Sequence, residues 1–270
     1  MSENRLARAI SHFASVSQQH DAEYRIPGLW RAPYLSHREV NVNPAGFIRD
    51  VLTVIAEQGR RTEGCHHTAA DLRIYSCMVR LAAAYDHDGD GRLGGDDDPT
   101  LNRAGHRETG TFLKLAVMLP YIRSMGLNTL HLLPITEIGG EGRKGILGSP
   151  YAIRDPYRLE PGLADPLLPW PVEEQFALLV EAAHCLDMKV VLEFVLRTAS
   201  RDSRWIKDHP DWFYWIDAGL ADRLGSETGP GIFGSPVFRT DELERIKEMV
   251  YAGTRRELIP PPKDYQALFH

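Results

Sequence analysis

The sequence has 270 residues, of which 43% are hydrophobic, so it can bury a large core and is neither a disordered nor a fibrous protein. A net charge of −6 provides no basic surface to neutralise a phosphate backbone, so we expect no nucleic acid among its partners. Because neither a run of about 20 apolar residues nor a secretory leader is visible, we expect no membrane association and a cytoplasmic location.

Two predicted helices and an irregular segment make up residues 1–70. Apolar residues recur at spacings of three and four over residues 1–20 and again over residues 44–58, which predicts a helix in each. The stretch RIPGLWRAPYL between them is rich in proline and aromatic residues, as is typical of an irregular packed segment. We therefore predict a small N-terminal helical extension over residues 1–70.

From residue 71 onward, predicted strands alternate with predicted helices. The strands are DLRIYSCMVRLA, LNTLHLLPI and MKVVLEFVL, and the helices are TGTFLKLAVMLPYIRSMG and VEEQFALLVEAAHCLDM. Units of this kind form parallel sheets with right-handed crossovers, so we predict an α/β fold for residues 71–204. Periodicity alone leaves a barrel and an open sheet as alternatives. Residues 205–270 show no further clear alternation.

Four segments, taken in chain order, resemble the first third of the α-amylase family (glycoside hydrolase family 13). They span residues 72–216 and read YDHDGDGRLGG, GTFLKLAVMLPYIRSMGLNTLHLLPI, SPYAIRDPYRLEP, and EEQFALLVEAAHCLDMKVVLEFV followed by HPDWF. The resemblance implies a (β/α)8 TIM barrel with its site at the C-terminal ends of the strands. Such a barrel needs about 250 residues from its first strand, and only 199 follow residue 71, so we expect an incomplete one here. Residues 71–204 would supply the first three β/α units, and residues 205–270 would begin the long excursion after strand three.

The resemblance also implies activity on α-glucans or related sugars, as a glycoside hydrolase or a transglycosylase. In the family, the catalytic carboxylates follow on strand four, on strand five and after strand seven, which is expected to place them beyond residue 270. We therefore predict that the isolated chain is inactive and that the remaining half of the barrel is a partner. The alternative is a non-catalytic module that binds sugar or calcium. SPYAI also resembles the maltosyltransferases that use maltose 1-phosphate, which keeps transfer open.

The segment DHDGDGRLGGDDD predicts a calcium site. Alternate carboxylates converge on a tight loop at Gly91, as a hard cation requires, and the family often has a calcium loop here. The family's acid two residues after the backbone ligand is replaced by Gly94, so Asp96 or Asp97 would have to substitute for it. The alternative is a solvated acidic turn, although so many acids repel one another unless they are neutralised. The predicted ligands, all oxygen donors, are Asp86, Asp88, Asp90, the Arg92 backbone carbonyl and Asp96.

The loop after the second predicted strand carries two candidate sugar contacts. Tyr151 and Asp155, in SPYAIRDPY, match the family's tyrosine and aspartate at this place. The tyrosine there stacks on the sugar in the cleaved position, since an aromatic face complements the apolar face of a pyranose. The alternative is a tyrosine packed against a turn.

The end of the third predicted strand departs from the family pattern. The family shows Asp, then three residues, then Asn and His, whereas this chain has Glu193, Arg197 and Thr198. Arginine stays protonated and threonine carries no charge, so the histidine contact with the sugar is altered. Arg197 could bind an anionic group such as a sugar phosphate, it could pair with Glu193, or the change could reflect drift in an inactive relative. The predicted substrate-binding residues are Tyr151, Asp155, Arg197 and Thr198.

Two further groups of residues have structural interpretations. The aromatic residues of HPDWFYWI could form a sugar platform, but consecutive residues of a strand alternate between its faces, so core packing is favoured. The three cysteines, Cys65, Cys77 and Cys185, are too few and too scattered for a disulfide framework and lack metal-ligand spacing. We expect buried thiols in a reducing compartment.

Overall fold

The computed structural model describes residues 4–17, 24–31, 38–59 and 68–209, together with Trp212 and Glu248. The chain divides into two units, Met1–Arg204 and Trp205–His270. Among the described residues, no helix is long and apolar enough to span a membrane.

The N-terminal residues form two helices and a two-stranded antiparallel sheet. Helix α1 (Arg5–Val16) begins at Asn4, whose side chain accepts a hydrogen bond from the backbone N–H of Ala7. Strands β1 (Tyr24–Pro27) and β2 (Glu39–Val42) pair antiparallel, and helix α2 (Pro44–Gly59) follows. Both predicted helices are present. The prediction of an irregular segment between them is corrected in part, because its first residues form β1 and a 3₁₀ turn at Gly28–Trp30.

A three-stranded parallel sheet follows, as the sequence predicts. Strand β3 (Ile74–Cys77) and helices α3 (Val79–Ala82) and α4 (Phe112–Ser124) precede strand β4 (Thr129–Leu132). Strands β5 (Thr136–Ile138) and β6 (Ile153–Leu159), helix α5 (Val172–Cys185) and strand β7 (Lys189–Leu192) come next. The sheet order is β3-β4-β7, with consecutive strands of the pattern adjacent and parallel. Gly126, at φ +85°, terminates the helical segment that contains α4.

The two faces of this sheet have different environments. In one register row, Cys77, Leu132 and Leu192 lie side by side and join the hydrophobic core with α4 and α5. In the adjacent row, which points to the opposite face, Ser76 and Val191 are exposed and His131 is partly exposed. Both crossover helices therefore cover the same face, as they do in a barrel, whereas an open doubly wound sheet has helices on both faces.

The N-terminal extension shares its core with the sheet. Phe13 of α1 and Ile55 of α2 are fully buried in the same cluster as Leu130 of β4 and Leu179 of α5. Arg5 at the start of α1 pairs with Glu174 in the first turn of α5. Residues before the parallel sheet therefore cover the outer surface of its helices and contribute to a common core.

The connection between β4 and α5 forms an antiparallel pair that the sequence does not predict. Strand β5 pairs with β6, and the register is irregular on both sides of Glu137. A 3₁₀ turn at Pro161–Leu163 follows β6. A short helix, α6 (Arg204–Asp208), is the last described helix.

The described cysteines are free, and Cys65 lies outside the described residues. Burial raises the pKa of the Cys77 thiol to about 12, as expected for an inert core thiol. Beyond α6, the ring of Trp212 stacks on His209 at 3.9 Å and is 60% exposed. The other aromatic residues of the HPDWFYWI cluster lie outside the described residues.

Candidate functional site

Tyr151 lies beside the segment that leaves the third parallel strand. Its side chain is 39% exposed, and its hydroxyl is hydrogen-bonded to the carboxylate of Glu193. The Thr198 hydroxyl donates to the backbone carbonyl of Tyr151 at 2.8 Å. Partial desolvation, the hydrogen bond with Glu193 and the negative charge of that carboxylate raise the pKa of Tyr151. The structure thus brings Tyr151 together with Glu193 and Thr198, each of which lies more than 40 residues further along the chain.

Glu193 continues the sheet on its exposed face. Its backbone N–H donates to Leu132 at 2.9 Å, which extends the ladder by one residue beyond β7. By strand alternation it follows Val191, so its carboxylate points to the face that the helices do not cover. On the same face, the Ser76 hydroxyl and His131 Nδ1 are hydrogen-bonded at 2.8 Å. This face therefore carries polar groups beside the exposed side chains of Ile74 and Val191.

Asp155 lies on β6 and is buried. Its carboxylate accepts hydrogen bonds from the Arg204 guanidinium at 2.6 Å and from the Tyr157 backbone N–H at 2.9 Å. Burial alone would raise the pKa of Asp155, but these donors outweigh it and the pKa is lowered. Its side chain is only 4% exposed, so in this conformation Asp155 shapes the loop that carries Tyr151.

Arg197 is exposed and forms no ion pair with any described residue. Glu193, its expected partner under one interpretation, is hydrogen-bonded to Tyr151. Within the described part of the chain, the guanidinium is therefore available to an anionic ligand.

A second group of candidate residues lies in the acidic loop between α3 and α4. Asp86 closes the loop on itself, since one carboxylate oxygen accepts from Gly89 at 2.6 Å and the other from Gly91 at 2.9 Å. Burial works to raise the pKa of Asp86, but the backbone N–H groups of Gly91 and Gly89 lower it overall. Gly89 and Gly91 have φ of +78° and +85°, which permits the turn.

His87 anchors this loop to the N-terminal strands. Its ring stacks on Tyr24 at 3.9 Å, and Nδ1 donates to the backbone carbonyl of Arg25 at 2.7 Å. Burial lowers the pKa of His87 to about 2, so the ring is neutral at physiological pH. The loop is therefore fixed against β1.

Glu108 is the residue of this group that sequence reasoning missed. Its carboxylate is buried and accepts hydrogen bonds from the backbone N–H of His87 and of Gly94, each at 2.7 Å. Carboxylate oxygens of Asp86, Asp88 and Glu108 lie within 4.8 Å of one another. The sequence offers one weak signal, since Glu108 is the only acid between Asp98 and Glu137.

Two further predicted calcium ligands, Asp90 and Asp96, lie beside an arginine. The Arg92 guanidinium is 3.3 Å from Asp96 and 3.7 Å from Asp90, so these two carboxylates already have a cationic neighbour. Among the described residues, neither belongs to the group formed by Asp86, Asp88 and Glu108. Glu108, rather than Asp96, completes the group of three carboxylates in this structure.

Curated relatives of the chain are maltosyltransferases. An α-1,4-glucan:maltose-1-phosphate maltosyltransferase of Cereibacter sphaeroides is 39% identical over 121 residues, which are 41% of this chain and 20% of that protein. The enzyme of the same name from Burkholderia pseudomallei is 35% identical over 127 residues, covering 42% of this chain and 10% of that protein. The chain therefore matches a fifth or less of the length of these relatives.

Solved structures with a partial likeness are α-amylases. An α-amylase of Lactobacillus plantarum has a TM-score of 0.41 and 28% identity, covering 68% of this chain and 36% of that chain. The maltogenic α-amylase AmyB of Thermotoga neapolitana has a TM-score of 0.40 and 34% identity, covering 57% of this chain and 29% of that chain. No family model matches the chain. The sequence relatives nevertheless confirm the predicted resemblance over about two fifths of this chain.

Proposed function

We propose that the chain binds an α-1,4-linked glucan at the edge where its parallel strands end, with the ring of Tyr151 as the sugar platform. The observation that carries this proposal is the support given to Tyr151 by the third strand. Glu193 holds its hydroxyl and Thr198 holds its backbone carbonyl, while the ring stays exposed. An exposed aromatic ring fixed in one orientation binds the apolar face of a sugar at a low cost in conformational entropy.

The reaction class that fits this edge is hydrolysis or transglycosylation of α-glucans, completed by the remaining part of a (β/α)8 barrel. Retaining enzymes of this kind need two carboxyl groups about 5 Å apart, one as nucleophile and one as acid and base. Both carboxylates at this edge are engaged, Glu193 by Tyr151 and Asp155 by Arg204. This chain supplies the sugar-binding edge, and the catalytic pair comes from the later strands.

This edge also accepts a sugar that carries a phosphate, and Arg197 contacts that phosphate. The relatives described above are named as maltosyltransferases that use maltose 1-phosphate. In this chain, Arg197 is an exposed cation in the segment that holds Tyr151. A guanidinium binds phosphate oxygens through two parallel N–H groups.

Calorimetric titration of the whole chain with maltoheptaose tests the glucan site. We expect Tyr151→Ala to weaken binding by about two- to twelvefold, since aromatic contacts of this kind contribute about 0.5–1.5 kcal/mol. Tyr157→Ala is the matched control, because Tyr157 is a tyrosine on β6 with 84% exposure. Equal affinity of the wild type and Tyr151→Ala would remove the basis of the proposal.

Comparison of maltose 1-phosphate with maltose tests the phosphate contact. We expect the phosphate ester to bind more tightly and Arg197→Gln to abolish that preference while the affinity for maltose stays unchanged. An equal preference in Arg197→Gln and the wild type would show that Arg197 does not contact the phosphate.

A second candidate function, calcium binding, is favoured by the group formed by Asp86, Asp88 and Glu108. Three carboxylates with oxygens within 4.8 Å of one another repel unless a cation neutralises them. The donors fit a hard, oxygen-preferring cation, and backbone carbonyls or water would complete the 6–8 ligands that Ca²⁺ takes. Bound calcium would fix the loop that connects the first parallel strand to α4.

A further inference from the structure

A pocket of about 350 Å³ lies between α3, the segment that follows the acidic loop, and the β5–β6 connection. Its lining includes three arginines, Arg80, Arg107 and Arg143, and none of the four predicted substrate-binding residues. The residues that line this pocket are therefore different from those of the site around Tyr151.

The three guanidinium groups have no carboxylate partner within salt-bridge distance among the described residues. Arg80 donates to the backbone carbonyls of Leu147 and Gly148 at 2.7 and 2.6 Å. Arg143 donates to the carbonyl of Gly139 at 2.7 Å. Neutral carbonyls orient Arg80 and Arg143, while the carboxylates of Glu160 and Asp98 act electrostatically on Arg80 and Arg107 from beyond salt-bridge distance.

Arg107 shows the largest unmet hydrogen-bonding capacity. One terminal nitrogen donates to the Thr100 hydroxyl at 3.0 Å, whereas its Nε is buried and has no hydrogen-bond partner in the described part of the chain. Buried donors are normally satisfied, so this N–H calls for an acceptor supplied by a ligand or solvent. Lys114 fixes the backbone of this segment, since its ammonium donates to the carbonyls of Arg107 and Thr109.

Three acids also line the pocket, but two of them are committed to their own loops. Asp98 accepts from the backbone N–H and the hydroxyl of Thr100 at 2.7 and 2.6 Å. Glu160 accepts from the backbone N–H groups of Ile138 at 2.9 Å and of Gly162 at 3.3 Å. Asp97 is the third acid and is exposed. The pocket is therefore close to neutral in formal charge, and its recognition of an anion depends on directed N–H donors.

We propose that this pocket binds a small phosphate monoester, with its phosphate held by the guanidinium groups of Arg80, Arg107 and Arg143. Planar guanidinium groups match phosphate oxygens in pairs, and three of them facing one cavity can contact a tetrahedral anion from several directions. The cavity volume is in the range of sites for small organic ligands, and Ile146, Leu147 and Leu163 add apolar walls for the organic part. This inference does not rest on the proposed glucan site.

Titration of the whole chain with glucose 1-phosphate, inorganic phosphate and glucose, followed by calorimetry and by ³¹P NMR, tests the pocket. We expect glucose 1-phosphate to bind and glucose not to bind at the same concentrations. Arg143→Gln and Arg107→Gln should each weaken binding by about tenfold or more, since a charge-assisted hydrogen bond is at stake. Arg143 is exposed, so its variant tests the pocket even if Arg107→Gln does not fold.

Arg103→Gln is the matched control, because Arg103 is an exposed arginine four residues from Arg107 that does not line the pocket. Binding of inorganic phosphate alone, sensitive to Arg143→Gln, would support the anion site and identify its ligand as the free ion. Failure of both phosphate probes to bind, or binding that Arg143→Gln and Arg107→Gln leave unchanged, would overturn the proposal. If Arg197→Gln abolishes phosphate binding while Arg143→Gln and Arg107→Gln do not, the anion binds at the Tyr151 edge and the pocket proposal is wrong. The phosphate titrations do not depend on whether maltoheptaose binds.

Discussion

At the residue scale, the side chains that follow the third parallel strand hold Tyr151. Glu193 and Thr198, which the resemblance matches to an acid and an imidazole, both contact Tyr151. Their identities could be read from the sequence, but the pairing with Tyr151 could not. This pairing arises because the antiparallel pair of β5 and β6 places Tyr151, which lies between these strands in the chain, near the end of β7.

Thr198→Val tests this positioning role. The variant removes the hydroxyl that donates to the Tyr151 carbonyl at 2.8 Å. One neutral hydrogen bond contributes about 1 kcal/mol, so we expect affinity for maltoheptaose to fall by about fivefold. Thr198→Ser keeps the hydroxyl and should bind as the wild type does. If Thr198→Val binds normally while Tyr151→Ala does not, Thr198 has no part in placing the ring.

The ion pair between Asp155 and Arg204 predicts acid sensitivity of the fold. Because the pKa of Asp155 is lowered in the folded state, its stabilising contribution is present above its unfolded pKa of about 3.9 and is lost as pH falls through the lower folded value. We expect Asp155→Asn to lower the free energy of unfolding by about 1–2 kcal/mol at pH 7. This value is near the lower end for hydrogen bonds to charged groups, because Arg204 is largely exposed.

Urea unfolding at pH 7 and at pH 3 measures this effect. The difference in unfolding free energy between wild type and Asp155→Asn should narrow at the lower pH. Asp50→Asn is the control, since Asp50 pairs with Arg49 on the exposed surface of α2. If the difference in unfolding free energy between wild type and Asp155→Asn is the same at both pH values, the lost contact is not electrostatic.

At the element scale, periodicity identifies the parallel strands and their helices but not the antiparallel pairs. The strands of the parallel sheet are buried by helices, so they carry the apolar runs that a sequence pattern can detect. Strand β6 reads IRDPYRL, with charged residues and a proline, and its partner β5 has three residues. Such strands form because tertiary packing brings them together, and their sequences resemble those of loops.

The same limit explains why Glu108 was missed in the acidic loop. The chain returns to Asp86 and Asp88 through a bridge between Leu101 and Arg107, and local spacing does not encode that return. Asp96 has the better spacing in sequence, but its carboxylate is 72% exposed and lies beside Arg92.

Thermal unfolding with calcium distinguishes the two ligand sets. We expect saturating Ca²⁺ to raise the melting temperature of the wild type, since a ligand at about 100 times its Kd stabilises by about 2.7 kcal/mol. Glu108→Gln should lose this response, whereas Asp96→Asn should retain it. Retention of the response in Glu108→Gln together with its loss in Asp96→Asn would favour the ligands predicted from sequence. No response in the wild type would leave the loop without a calcium role.

At the scale of the whole molecule, the described helices cover only one face of the parallel sheet. Strands β3 and β7 each have one partner among the described residues, and Ile74 and Val191 on the other face are 53% and 40% exposed. Open edges and exposed apolar side chains favour association with further strands.

Sedimentation as a function of concentration measures this tendency. We expect the purified chain to self-associate and Val191→Lys to reduce the association, because a lysine is costly to bury between sheets. Val54→Lys on α2 is the matched control, since Val54 is 41% exposed on the opposite side of the core. A monodisperse monomer at high concentration would indicate that this sheet needs no further strands.

The proposed division between binding and chemistry gives a last prediction for the purified 270-residue chain. We expect no release of reducing sugar from maltoheptaose, although the glucan binds, because cleavage needs one free nucleophile and one acid a few ångströms apart. Glu193 and Asp155 are each held by a neighbouring donor, so neither is free for either role. Reducing-sugar assays on wild type and Tyr151→Ala, prepared identically, separate intrinsic activity from a contaminating amylase. A contaminant would act equally in both preparations, whereas activity that falls with Tyr151→Ala would place a catalytic pair within this chain.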